Sequence, residues 1–548
     1  MAFKVQNIVS EYDVVTFDVF DTLVIRDVLD PTDVFNLIGG KKFRYARVLA
    51  ELMAVRNSRR EEITLEEIYK YLPMCSMDDE TEKEIQICRA NPKVKKLYEY
   101  CKENKIPVYA ISDMYLPEKT IRTILEKCGY EMDGIYVSST YGVKKSTGKL
   151  FQLFLKEERI NLEHKKVLHI GDDQKSDGRG AKLAGITSCR IYRDKNLLSY
   201  TKVAEKNEEL AAYINHQLNR INTREEQIGY EVLGPLLLAF CQFVHENYRT
   251  FHFDKLFFLA RDMKLIYQIY SKLYPEDASD YFLCSHKSID QAQNSPAGLK
   301  KYMEKMGFSG DVAVVDVGWR GISQPLLEEF AGKQGLDTSV GGLYMGGQYG
   351  YVKVQRSPKS DICFWDNKFG YMRNETYSSM LESLLGNFDD RTIGYKEDGS
   401  PYFETNNKEK DNYSLVQRIQ SSAIHFVNDW VRDKNNKSID VDLAYSTFVH
   451  MEDNPREKDI QILKYVEYDD KGTNTVLIED VQLSLMNAEN WLGNLEKSSW
   501  KGAFFKKTVP HFSGALYKGY LLANSLRLSM KDAKLTKEML EEKKYKTY

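Results

Sequence analysis

At 548 residues the chain exceeds what one hydrophobic core supports, and its length implies about three or four domains. It is 42% hydrophobic and 29% charged, the composition of a soluble globular protein. The 80 acidic against 77 basic residues exclude the basic bias of a dedicated nucleic-acid binder.

Eight cysteines, at positions 75, 88, 101, 128, 189, 241, 284 and 363, show neither CxxC pairing nor zinc spacing with histidine. They read as reduced thiols of a cytoplasmic protein rather than as a disulfide framework. The start, MAFKVQNIVSEYD, lacks the basic and apolar segments of a signal peptide. The longest apolar run, Val232 to Val244, contains Gly234, Pro235 and Gln242. At 13 residues it is too short for a transmembrane segment and predicts a buried helix.

The segment Val14 to Leu23 reads VVTFDVFDTL. Its β-branched and aromatic run predicts a buried strand that stops at Asp18 and delivers that carboxylate to the C-terminal edge of a sheet. Phe20 and Asp21 follow in the turn. Asp30-Pro31-Thr32-Asp33 marks a helix start, with Asp30 as N-cap and Pro31 in the first turn. Thr64-Leu65-Glu66-Glu67 is a capping box leading into Ile68 and Tyr69. Asn91-Pro92 opens a helix with Val94, Leu97, Tyr98 and Cys101 on one face. Arg44, Arg47, Arg56, Arg59 and Arg60 in this helical stretch read mostly as solvated, salt-bridged faces.

Strands and helices then alternate. Ile106 to Ile111 ends in Ser112-Asp113, and Ile121, Ile124, Leu125 and Cys128 form a helix face stopped by Gly129. Ile135 to Val137 precedes Lys144-Lys145-Ser146-Thr147-Gly148 and a helix through Phe151 and Phe154. Val167 to Ile170 ends in Gly171-Asp172-Asp173, with Asp177 at the start of the next helix. This βαβα order predicts an α/β fold with a doubly wound parallel sheet.

The strand-end residues, taken together, resemble the motifs of the haloacid dehalogenase superfamily of phosphoryl-transfer enzymes. The resemblance implies Asp18 as nucleophile, Ser112 as a hydrogen-bond donor to the phosphoryl group and Lys145 as the neutralising lysine. It also implies a magnesium site of Asp18, the Phe20 carbonyl, Asp172, Asp173 and Asp177, and a helical cap over about residues 27–104. The chemistry asks for such a set, because a carboxylate attacking a phosphate must overcome like-charge repulsion. Phe20 stands where most phosphatases of the superfamily have an acid/base Asp. Three readings stay open: Asp21 transfers the proton, substrate or water does, or the domain binds phosphate compounds with slow turnover. Dehalogenases of the superfamily also lack that Asp but need no metal and lack the acidic pair, so dehalogenation ranks last.

The wording FDVFDTL and SDMYLP, with the long C-terminal extension, resembles a bacterial subgroup associated with surface-polysaccharide and glycosyltransferase systems. That association implies a sugar phosphate or nucleotide-sugar substrate and a glycosyltransferase or polysaccharide-assembly partner.

Beyond a helical connector at about 201–230, a second, Rossmann-like α/β domain is expected over 231–404, followed by a mainly helical region over 405–548. The first domain then covers 1–200. Three strands of the second domain end in polar groups: Lys255 to Ala260 in Arg261-Asp262, Tyr281 to Cys284 in Ser285-His286-Lys287, and Val312 to Val315 in Asp316-Val317-Gly318-Trp319-Arg320-Gly321. Arg261, Asp262, Asp316, Gly318 and Gly321 are the expected ligand site, with the glycines in a strand-to-helix turn that presents N–H groups to an anion. Leu415, Ile419, Phe426 and Trp430 mark an amphipathic helix. Trp500 to Phe512, which mixes aromatics with Lys501, Lys506 and Lys507, reads as a partly buried domain edge, with contact to a membrane surface or a partner as the alternative, and Lys531 to Tyr548 as a frayed helix.

Overall fold

The computed structural model describes residues 9–73, 76–191, 208–218, 220–221, 223–319, 321–347, 357–364, 370–387, 389–404, 410–464, 466–470, 473–476, 488–524, 526–527, 530 and 534. They fall into two compact units, the first within residues 1–221 and the second from residue 222 onward.

The first unit is built on seven strands: β1 Val14–Phe17, β2 Val24–Arg26, β3 Cys88–Ala90, β4 Val108–Ser112, β5 Gly134–Val137, β6 Val167–Gly171 and β7 Thr187–Arg190. Five form a parallel sheet in the order β5-β4-β1-β6-β7. Val14, Val15 and Phe17 are buried, as a central strand covered on both faces requires. Phe17 is in register with Ala110 on one side and Ile170 on the other. The Asp18 N–H continues the ladder, donating to the Ile170 carbonyl at 2.9 Å. The winding reverses between β1 and β6, so the crevice of the sheet opens at the residues following these two strands.

Past Asp18 the chain turns sharply. Asp21 takes a left-handed φ of 60°, and the Val24 N–H donates to the Val19 carbonyl at 2.9 Å. Strand β2 then pairs antiparallel with β3, Val24 facing Ala90. The helices Val34–Asn57, Leu65–Tyr69 and Met77–Ile87 leave and rejoin the core through this ribbon. The inserted segment therefore ends at Ile87 rather than near residue 104. The helix Pro92–Glu103 instead buries Val94, Tyr98 and Cys101 in the cluster that holds Val15 and Phe17. Asp30 and Thr64 cap their helices as reciprocal boxes.

Arg47 departs from the solvated reading. Its side chain is fully buried and makes paired bonds to Glu80 at 2.6 and 2.8 Å and one to Glu51 at 2.9 Å. The rings of Phe35 and Tyr115 flank its guanidinium at 4.6 and 4.8 Å. Glu80 lies 33 positions away, beyond the reach of any helical spacing rule. Arg56, Arg59 and Arg60 are exposed, and Arg44 is partly covered beside Asp33 at 2.6 Å.

The second unit holds a parallel sheet of β8 Lys255–Leu259, β9 Ser279–Phe282, β10 Gly310–Trp319, β11 Thr338–Gly347 and β12 Ser360–Ile362, in the order β12-β11-β10-β8-β9. The expected apolar run lies within a longer helix, Arg224–Phe251. This helix has the length and apolarity to cross a membrane, but 89% of its apolar window is buried inside the protein. Gly229 and Gly234 admit the helix Lys410–Lys434 closely: a Cβ at these positions would meet the Ile419 carbonyl at 2.1 Å and the Phe426 Cβ at 2.6 Å. Ile419, Phe426 and Trp430 are buried there. Of the expected connector, the helix Glu208–Leu218 belongs to the first unit, whereas Arg224 begins an element of the second. Trp500, Phe504 and Phe505 are buried and Phe512 is exposed. Apart from Lys534, the stretch Lys531 to Tyr548 lies outside the described residues. The described cysteines are free thiols.

Removing one partner of the Arg47–Glu80 pair leaves a buried charge uncompensated. Glu80→Ala is expected to lower the stability of the first unit by about 3–5 kcal/mol. Glu82→Ala, on the exposed side of the same helix, should stay within about 0.5 kcal/mol. Denaturant unfolding followed by circular dichroism reads both.

Candidate active site

Three strand ends and one turn meet at the crevice of the first sheet. Strand β1 supplies Asp18, β4 ends in Ser112 and leads into Asp113, and β6 leads into Asp172. The turn Lys145–Thr147 supplies Lys145, which is 2% exposed. The Lys145 ammonium donates to Asp18 Oδ1 at 2.5 Å and to Asp177 Oδ1 at 2.6 Å. Its own N–H donates to Asp113 Oδ1 at 2.8 Å. Asp177 is fixed further by the Asp173 N–H on Oδ2 at 2.9 Å and by His169 Nε2 at 3.1 Å. The other ring nitrogen of His169 lies 2.8 Å from Thr16 Oγ1. A neutral ring donating from Nε2 to Asp177 leaves Nδ1 to accept from Thr16.

Two glycines make this approach sterically possible. A Cβ on Gly171 would stand 2.3 Å from the Asp177 carboxyl, and one on Gly180 would stand 2.1 Å from the Lys145 carbonyl. The loop after the helix Val34–Asn57 secures the lysine turn from its other side. Glu61 Oε2 accepts from the Lys144 N–H at 3.2 Å and from Thr147 Oγ1 at 2.9 Å.

The electrostatics follow from one buried ammonium serving several acids. Burial raises the Asp18 carboxyl above its ordinary range; Lys145 opposes this, and Asp177 and Asp172 add to it. Burial, then Asp21 and Asp177, push Asp172 up to about 6. Asp177 lies below the usual carboxylate range: burial opposes this, but Lys145 and His169 prevail. Burial alone would pull the Lys145 ammonium down, and Asp18, Asp177 and Asp113 hold it up. Burial keeps His169 low, hence neutral at pH 7.

Asp18, Asp172 and Asp177 each offer a carboxylate oxygen, all within 4.8 Å of one another. An all-oxygen donor set with negative charge in excess fits a hard divalent cation. Asp173, expected among the ligands, is turned away from this trio. Its Oδ1 accepts from the N–H groups of Lys175 and Ser176 and from Ser176 Oγ, at 2.9, 2.6 and 2.8 Å, capping the turn Gln174–Gly180. Asp173 is thus the helix cap, and Asp177 lies one turn inside. The ring of Phe20 sits 3.9 Å below the Arg26 guanidinium, which pairs with Glu84 at 2.8 Å. Ser112 is buried at the end of β4, and Asp21 stands in the turn three residues past Asp18.

Asp113, His169 and Glu61 were not singled out in the sequence. A polar residue inside the otherwise apolar strand Val167–Gly171 was the available signal for His169, and the strand end Ser112-Asp113 was the one for Asp113; Glu61 carries none.

In the second unit, Arg261, Asp262, Asp316 and Gly318 line one cavity, which does not include Gly321. β10 runs on through Trp319, with Gly318 paired to Gly346 of β11, and the Gly321 N–H donates back to the Gly318 carbonyl at 2.7 Å, closing the expected turn before the helix Ser323–Lys333. Arg320 lies outside the described residues.

Residues 12–185 match the family model described as haloacid dehalogenase-like hydrolase. No curated protein matches the chain. Among solved structures it is similar to a HAD phosphatase from Thermococcus onnurineus, at 16% identity over 34% of this chain and 88% of that one, with a TM-score of 0.27. It is also similar to an L-2-haloacid dehalogenase from Xanthobacter autotrophicus, at 13% identity over 36% of this chain and 81% of that one, with a TM-score of 0.26. The match to haloacid dehalogenase-like hydrolases thus falls within the first unit.

The glycine cradle gives a direct test. Gly171→Ala forces the Asp177 carboxyl out of its bonds and is expected to destabilise the first unit by about 1–3 kcal/mol, the usual cost of overpacking. Gly178→Ala meets nothing closer than 3.8 Å and should be neutral or stabilising by up to about 1 kcal/mol. Thermal unfolding of the two variants checks the contrast.

Proposed function

We propose that the first unit is a magnesium-dependent phosphohydrolase or phosphotransferase that works through an aspartyl-phosphate on Asp18. Its substrate is a phosphorylated small molecule of the sugar-phosphate class. The observation that carries this reading is the Lys145 ammonium bridging Asp18 and Asp177, with Asp172 closing the acidic trio.

Asp18, Asp172 and Asp177, with the Phe20 carbonyl as a main-chain donor, would hold the cation, which supplies charge neutralisation for the phosphoryl group. Asp18 attacks phosphorus as the ionised carboxylate, forming the Asp18–phosphorus bond as the bond to the leaving oxygen breaks. Lys145 stabilises Asp18 as an anion and then the charge on the transferring group. Ser112 donates a hydrogen bond to a phosphoryl oxygen. Asp113 and Glu61 act through Lys145, fixing the turn that carries it. In the second half-reaction water, or an acceptor hydroxyl, attacks phosphorus and releases Asp18.

The proton comes from Asp21, whose carboxylate is close enough to raise that of Asp172. Phe20 is committed elsewhere: its ring supports Arg26, which anchors to Glu84 on the inserted helix Met77–Ile87. The same residue favours a second reading, a phosphate-binding unit with slow turnover serving a glycosyltransferase or polysaccharide-assembly partner in the cytoplasm. The FDVFDTL and SDMYLP wording supports that setting.

A panel of phosphorylated sugars and nucleotides, assayed with and without magnesium, tests the reading. Asp18→Asn and omission of magnesium should each abolish turnover, and activity that survives both would sink it. Asp21→Asn should slow turnover by about a hundredfold, the scale of general acid/base catalysis. Phe20→Asp should speed hydrolysis, read as phosphate release; if neither variant alters the rate, proton transfer does not use this turn.

A further inference from the structure

A cavity of about 660 Å³ opens at the C-terminal edge of the second sheet, a volume in the range of small-molecule sites. Its position follows from topology. Strands β8 and β10 are neighbours in the order β12-β11-β10-β8-β9, and the winding reverses between them. Arg261 and Asp262 follow β8, and Asp316 lies near the end of β10. All three line the cavity, at the point where doubly wound sheets bind ligands.

Two helix N-termini reach the same space. Ser285, the N-cap of the helix His286–Asn294, lines the wall together with Lys287, as does Ser323 at the start of the helix Ser323–Lys333. The second of these helices has no side-chain cap. Gly318, also in the lining, lets β10 lie close against β11: a Cβ there would stand 2.3 Å from the Gly346 carbonyl. Thr392, 2% exposed, also lines the cavity, and its hydroxyl has no hydrogen-bond partner among the described residues.

The lining is divided in charge. Arg261, Lys287 and Arg391 are basic; Asp262, Asp316 and Glu382 are acidic. A simple anion would face three carboxylates, and a simple cation three basic groups. A molecule carrying both an anionic group and several hydroxyls uses both sets, since carboxylates accept from hydroxyls and helix N-termini receive phosphates. Burial and the Asp262 carboxylate push Asp316 up to about 7, so near neutrality it can donate as well as accept.

We propose that this cavity is a ligand site of the second unit for a phosphorylated sugar or polyol, whose phosphate is held by Arg261, Lys287 and the helix N-termini and whose hydroxyls are held by Asp262 and Asp316. The site is built wholly from the second unit and does not rest on the reaction proposed for the first.

Titration calorimetry and hydrogen exchange on the full chain test this, using Asp18→Asn in EDTA so that the first unit neither turns over nor holds a metal. The probes are glucose 1-phosphate and glycerol 3-phosphate, with inorganic phosphate, glucose and phosphocholine beside them. At least one phosphorylated polyol should bind tenfold more tightly than inorganic phosphate or glucose, and should protect amides within 255–263, 284–290 or 316–323. Asp316→Asn and Lys287→Ala should each weaken it at least tenfold. Lys287 is at the exposed rim, 3.2 Å from Glu404, so its replacement reads binding without disturbing the fold. Absence of binding, protection confined to the first unit, or affinity unchanged by Lys287→Ala would overturn the proposal. Tighter binding of phosphocholine would also overturn it, in favour of a zwitterion site.

Discussion

The first unit is organised around one buried ammonium shared between two carboxylates. Lys145 touches Asp18 and Asp177 at once, in a place where an unpaired charge of either sign would be costly. Every nearby element has a part in keeping that geometry. Strand β1 brings Asp18, Gly171 and Gly180 let the partners close in, His169 and the Asp173 N–H orient Asp177, and Asp113 and Glu61 hold the lysine turn. The remaining excess of negative charge raises Asp18 and Asp172. A site with more acids than bases, all presenting oxygen, offers the donor set that suits a hard divalent cation.

Phe20 links the turn after Asp18 to the inserted helices. The ring serves as a platform for Arg26, and Arg26 reaches Glu84 on the inserted helices. Together with the β2–β3 ribbon and the Arg47–Glu80 pair, this ties the insertion to the turn that follows Asp18. The link therefore begins two residues from Asp18.

The two units place polar side chains at the same topological feature by different routes. In the first, the reversal lies between β1 and β6 and gathers three acids around a lysine. In the second, it lies between β8 and β10 and opens a cavity with acidic and basic walls. The parallel winding, with helices returning over the faces, leaves strand C-termini splayed at the reversal in both cases.

The sequence by itself marked the strands β1, β4, β5, β6, β8, β9 and β10, the caps and the order of the strand-end residues, whereas β2, β3, β7, β11 and β12 were not legible in it. Asp30 and Thr64 cap, Gly129 stops a helix, and Asp18, Ser112 and Asp172 lie at or just past strand ends, because local spacing and turn chemistry act over a few residues. Tertiary structure decided what depends on distant partners. Only packing reveals that Arg47 is buried against Glu80, that the insertion closes at Ile87, and that β10 continues through Gly318 because β11 lies beside it. Asp173 and Asp177 sit four residues apart and are alike in sequence; the fold turned one to cap a helix and the other toward Lys145. That division of labour rests on a lysine 32 positions before Asp177, and a contact of that range is settled by where the chain is brought together, not by its local pattern.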